Sequence, residues 1–101
     1  MSVERAKKYL SQFHMEHKII TFATSSATVE LAAIAAGTEP ARIAKTLSFM
    51  GKEGPLLIVT AGDTKIDNAK YKHFFGVKAH MLPFAEVEAL IGHTPGGVCP
   101  F

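Results

Sequence analysis

The sequence holds a single cysteine, Cys99, among 101 residues. One thiol closes no intrachain disulfide, and a thiolate metal site would need other ligands, so a reducing compartment is expected. Long apolar runs are missing. The longest smooth one, residues 31–36, is far too short to span a bilayer. Residues 1–8 carry Glu4, Arg5, Lys7 and Lys8 without an apolar stretch, which excludes a secretory signal. A soluble, cytoplasmic protein with no membrane partner is expected. Neither sign of charge dominates: 11 basic side chains face 9 acidic ones, a formal net charge of +2. That balance neither demands a nucleic acid nor excludes one. No dinucleotide fingerprint occurs, and Gly62-Asp63-Thr64-Lys65 lacks the upstream glycine of a phosphate-binding loop. His14, His17, His73, His80 and His93 are scattered, form no zinc pattern, and read as surface or core residues. Repeats, linkers and low-complexity segments are also absent.

What remains is a globular composition, 48% hydrophobic and 20% charged, of a length that suits one small domain. Apolar residues at helical spacing predict a helix over 3–13. Residues 19–22, β-branched and aromatic, predict a strand. Ser25 and Ser26 offer N-caps for a second helix over 28–36, which Gly37 would end. Pro40 opens a turn. Residues 43–50 alternate, 51–54 form a turn and 55–61 return, which together predict a β-hairpin. Asp67 caps a helix through Phe75, stopped by Gly76. A short strand over 79–82 precedes an amphipathic helix after Pro83, with Phe84, Val87, Leu90 and Ile91 on one face and Gly92 as its stop. A loop punctuated by glycine and proline follows over 94–101. Helices and strands without a βαβ rhythm indicate the α+β class. The chain stops where a further strand would be expected, so an incomplete domain is the expectation.

Lys45 is the first candidate for chemistry. It shares the phase of Ile43, Leu47 and Phe49 on the alternating strand. A lysine there either snorkels to water at the strand's edge or is held in a cleft for a phosphate or carbonyl oxygen, and periodicity leaves the two readings even. The loop around Gly96 and Gly97 is the second: its backbone N–H groups could meet an oxyanion, or simply form a tight turn, the reading its spacing favours. Cys99 has no partner at a diagnostic spacing and reads as a packed thiol. Asp63 and Asp67 read as turn and cap residues. Lys65, Lys70, Lys72 and Lys78 cluster and could meet a phosphate backbone or form a solvated face.

Three blocks, in this order and spacing, resemble the YbaK/prolyl-tRNA synthetase-associated domain. They are residues 25–47, with Ser25, Ser26, Glu30, Gly37, Arg42, Lys45 and Thr46; residues 59–67, with Thr60, Gly62, Asp63, Lys65 and Asp67; and residues 96–101, a Gly with Pro four residues on. The resemblance implies a mixed, curved sheet flanked by short helices, here without the family's last strands. It implies hydrolysis of the ester that joins an amino acid to the terminal ribose of tRNA, typically a mischarged proline tRNA. Neither a metal nor an organic cofactor is implied. The functional lysine falls on Lys45, and Gly97 and Val98 would supply N–H groups to the oxyanion. Phe22, at a position where some members carry a tyrosine, joins Thr46, Thr60, Gly62, Gly96, Cys99 and Pro100 as substrate contacts. Lys65, Lys70, Lys72 and Lys78 would touch tRNA, and prolyl-tRNA synthetase is a possible partner. A noncatalytic tRNA- or synthetase-binding module, an inactive fragment and a small-molecule-binding domain stand as alternatives. An unpaired sheet edge would favour self-association.

Overall fold

The hairpin predicted from alternation is the centre of the structure. In the computed structural model, which describes residues 2–23 and 28–101, β1 (Ala44–Gly51) and β2 (Gly54–Ala61) pair antiparallel, Gly51 opposite Gly54 and Ala44 opposite Ala61. The two strands are the whole sheet among the described residues. The expected strand over 79–82 is reduced to one bridge, Phe49 with Met81, flanked by Met50 N–H to His80 O at 2.9 Å and Leu82 N–H to Ser48 O at 3.1 Å. Residues 19–22 form no strand; they are irregular, with Ile20 74% exposed. β-propensity measures fit to a paired, half-buried surface, and no described residue offers these four a ladder.

Among the described residues four helices flank the hairpin: α1 (Ser2–Ser11), α2 (Val29–Ala36), α3 (Asn68–Phe75) and α4 (Val87–Ile91). Short 3-10 turns occupy Glu16–Lys18, Pro40–Arg42 and Phe84–Glu86. The cap of α2 is Thr28, whose Oγ1 accepts from Leu31 N–H at 3.1 Å; Ser25 and Ser26, the expected caps, lie outside the described residues. Asp67 caps α3 as expected, accepting from Lys70 N–H at 3.0 Å. Left-handed glycines end α2, α3 and α4 at Gly37, Gly76 and Gly92. The helix expected after Pro83 starts as a 3-10 turn, and this tighter winding changes its face. Val87 is buried, whereas Phe84 is 80% exposed and Leu90 is exposed.

Among the described residues the buried apolar side chains are few: Ala33, Phe49, Tyr71, Leu82 and Val87. Phe49 carries α3 on the hairpin through Tyr71, ring centroids 5.2 Å apart, and Tyr71 meets Phe75 at 4.5 Å. Ser48, on the opposite face of β1, is buried as well, so mid-strand burial does not follow the polar alternation of the sequence. Gly62 follows β2 where backbones crowd. A Cβ there would lie 2.5 Å from Pro40 O and 2.6 Å from Val29 Cγ1, so the start of α2 and the Pro40–Arg42 turn close onto the hairpin only over a glycine. No helix among the described residues is long and apolar enough to cross a membrane.

Candidate functional site

A cavity of about 510 Å³ runs along the edge of β1 that β2 leaves open. Its floor is residues 44–48, including Lys45 and Thr46. Thr28, Val29 and Ala32 of the α2 end form one wall, and Met81, Leu82, Phe84 and Val87 form another. Pro95, Gly96 and Val98 close the mouth. Lys45 and the glycine loop, about fifty residues apart in sequence, thus meet in one concavity.

Lys45 is half-buried, and its Nζ donates to the main-chain O of Thr64 at 2.5 Å. An ammonium carries three donors, so this bond anchors the side chain and leaves donors over for a ligand oxygen. Among the described residues no carboxylate pairs with it. Across the hairpin stands Thr60, whose Oγ1 is buried without a hydrogen-bond partner. Half-burial with a fixed head group differs from an edge lysine trailing into water, and it holds positive charge at a mainly apolar cavity.

The loop is a turn that its own sequence specifies. Gly97 N–H donates to Thr94 O at 2.9 Å, Pro95 occupies the second position and Gly96, at φ +86°, the third. This is the arrangement of a type II turn, where proline and then a left-handed residue are preferred. The bond engages the Gly97 N–H expected to meet an oxyanion, and Gly97 does not line the cavity; Gly96 and Val98 do. Beneath the turn, His93 is 4% exposed and its Nε2 lies 3.5 Å from Cys99 Sγ. The partner of Cys99 that sequence spacing did not reveal is therefore a core histidine six residues upstream, whose Nδ1 is buried without a partner. Helix α1 braces both ends of this segment: Arg5 Nη1 donates to Gly92 O, and Tyr9 stacks on Phe101 with centroids 5.9 Å apart.

The other expected contacts fall elsewhere. Phe22 is 40% exposed and outside the cavity lining, and so are Thr60, Gly62, Cys99 and Pro100. Of the four lysines, all exposed, Lys72 and Lys78 line a second cleft of about 360 Å³ with Asn68, Ala69 and Ala79, whereas Lys65 and Lys70 do not. Sequence reasoning missed the far wall, Met81 to Val87, and the part of Pro95; the Pro-Gly pair was the one local signal available. The described residues contain no cluster of three or more His, Cys, Asp or Glu suited to a metal, and the cavity lining holds no carboxylate or imidazole.

The family model described as an aminoacyl-tRNA editing domain matches residues 23–101. The uncharacterized protein YwhH of Bacillus subtilis (strain 168) is 49% identical over 102 residues, covering 100% of this chain and 65% of its own length. Among solved structures, one proposed as a trans-editing enzyme for prolyl tRNA synthetase superposes with a TM-score of 0.87 at 31% identity, over 99% of this chain and 64% of the other. The hypothetical protein APE2540 gives a TM-score of 0.72 at 25% identity, over 100% and 66%. The chain therefore spans about two thirds of the length of these relatives.

Proposed function

Since the chain belongs to the aminoacyl-tRNA editing domain family, we propose that it hydrolyses the ester between a misattached amino acid and the terminal ribose of a tRNA, proline tRNA being the favoured substrate. The observation that carries this reading is the meeting of Lys45 with the 94–98 turn across one cavity. The aminoacyl side chain would lie against the apolar walls. Water attack on the ester carbonyl places negative charge on its oxygen, and the donors of Lys45 and the Val98 N–H would stabilise that charge. No carboxylate or imidazole lines the cavity, so the proton from the attacking water would pass by way of the substrate's neighbouring ribose hydroxyl to the ribose oxygen that departs as the ester C–O bond breaks. A misattached cysteine would instead attack its ester with its own thiol. In either case the protein supplies orientation and electrostatics. The reaction would take place in the cytoplasm, beside or on prolyl-tRNA synthetase.

Single-turnover hydrolysis of a panel of mischarged tRNAs tests this. Lys45→Ala should slow hydrolysis about a hundredfold, the usual effect of losing one charge-stabilising donor, with the fold unchanged by circular dichroism. Hydrolysis by Lys45→Ala at the parent rate would remove Lys45 from the mechanism. A lining without a carboxylate or imidazole also favours a second reading, a noncatalytic tRNA-binding module. Tight binding of these tRNAs with no hydrolysis of any would establish that reading instead.

A further inference from the structure

Lys45 has one acceptor among the described residues, and that acceptor belongs to a residue outside the cavity lining. Its Nζ donates to the main-chain O of Thr64, and Thr64 does not line the concavity that Lys45 enters. Thr60, opposite Lys45 on β2, makes no bond to it, since Thr60 Oγ1 is buried without a partner. The turn over residues 61–64 therefore places the ammonium, and that turn is tightly tied. Ala61 O, at the end of β2, accepts twice from one residue: from Thr64 N–H at 3.1 Å and from Thr64 Oγ1 at 2.7 Å. Gly62, inside the turn, is closed in by Pro40 O, Val29 Cγ1 and Ile43 O. The hydroxyl of Thr64 thus fastens the same residue whose carbonyl holds Lys45.

We infer that Thr64 is the positioning residue of Lys45: its hydroxyl locks the 61–64 turn, and the locked carbonyl sets where the ammonium stands in the cavity. Lysine carries its charge on a flexible four-carbon stem, and ordering that stem costs rotamer entropy. A head group tied beforehand meets this cost before a ligand arrives. The kind of tie matters as well. A carboxylate would hold the ammonium more strongly, but its negative charge would repel any anion brought to the same cation. A main-chain carbonyl fixes the head group and leaves the net positive charge for the ligand. Asp67, the acid three residues further on, spends its side chain on Lys70 N–H. Threonine suits the place, because β-branching stiffens χ1 and keeps the hydroxyl aimed at Ala61 O. The inference deepens the editing reading and rests on it for the ligand, an ester oxygen gaining charge; the tie between Thr64 and Lys45 can be measured without a substrate.

The test first follows Lys45 itself, by NMR of the isotopically labelled chain. The two Hε protons of a tied lysine stem are inequivalent, whereas those of a free stem average. They should be split in the parent chain, collapse in Thr64→Val and split again in Thr64→Ser, which keeps the hydroxyl. Thr64 is exposed and valine matches its shape, so the amide spectrum should show the fold retained. In single-turnover hydrolysis at saturating tRNA, Thr64→Val should slow the reaction about fivefold, the usual effect of losing one neutral hydrogen bond, and Thr64→Ser should restore it. Added to Lys45→Ala, Thr64→Val should slow hydrolysis no further, because it acts through the missing lysine. Averaged Hε protons in the parent, splitting retained in Thr64→Val, or the same fivefold loss in the Lys45→Ala background would each overturn the inference. The outcome separates from the editing reading. Splitting that depends on Thr64, with no hydrolysis of any mischarged tRNA, keeps the positioning role and removes the editing activity. Hydrolysis by Thr64→Val at the parent rate keeps the activity and removes the positioning role.

Discussion

Replacing Gly62 by alanine separates two roles for this residue, substrate contact or close-packed spacer. The added Cβ would stand 2.5 Å from Pro40 O, 2.6 Å from Val29 Cγ1 and 3.0 Å from Ile43 O, all inside the 3.4 Å at which ordinary contact begins. Two of these three atoms are backbone carbonyl oxygens, which cannot swing aside like a side-chain tip. Overpacking of this kind costs about 1–3 kcal/mol, and rigid neighbours put Gly62→Ala in the upper part of that range. The φ of Gly62 is not positive, so alanine can adopt the conformation, and the loss of unfolded-state entropy returns about 0.4–1 kcal/mol. A net destabilisation of about 2 kcal/mol remains. With a urea dependence near 1 kcal/mol per molar for a chain this small, the unfolding midpoint should fall by roughly 2 M. Far-UV circular dichroism during urea unfolding measures it. The same strain pushes on Ile43, beside Lys45 and in the cavity lining, so any catalytic loss should accompany the stability loss. An unchanged midpoint together with weakened substrate binding would refute the packing argument and return Gly62 to the substrate contacts.

Thr28→Ala removes the side-chain bond to Leu31 N–H and should cost about 1 kcal/mol, with Thr28→Ser restoring most of it in the same unfolding assay. Lys72→Ala with Lys78→Ala, the pair that shares a cleft, should weaken tRNA binding and lower the salt-dependence slope by about 2, whereas Lys65→Ala should change both less; affinities measured across salt concentrations decide this. The free edge of β2 and exposed apolar side chains such as Val59, Phe74 and Ile34 should make the chain self-associate as concentration rises. Light scattering during size exclusion would show a growing mass, and a constant monomer mass would contradict the expectation.

Several features of this protein depend on neighbours a few residues away, and these were legible in the chain. Alternation over 43–61 with a turn between gave the hairpin. Asp67 three residues before Lys70 N–H gave the α3 cap, and Gly37, Gly76 and Gly92 gave the helix ends. The Pro95-Gly96 pair carries its turn in the same way. Resemblance supplied the family and pointed to Lys45, whose burial periodicity alone had left open.

Contacts between distant segments were not legible, because no local spacing encodes them. Residues 19–22 have strand character, yet without a partner among the described residues they stay irregular. The thiol of Cys99 met His93 only after the 94–97 turn folded the segment back on itself. Gly62 looked like part of a motif, and only the approach of Pro40 and Val29 showed why a side chain cannot stand there. Gly97 carried a donor in the sequence that the turn then used. The open edge at Thr46 depends on where Pro83 lifts its segment off β1, a matter of pairing between segments more than thirty residues apart in the chain. The sequence by itself determined the elements, their caps and the residue types that could do chemistry, since those follow from dihedral preference and side-chain periodicity. Tertiary structure decided which of those residues share a cavity and which donors remain unused, since both depend on long-range packing that brings α2, β1, the 81–87 wall and the 95–98 turn around one space.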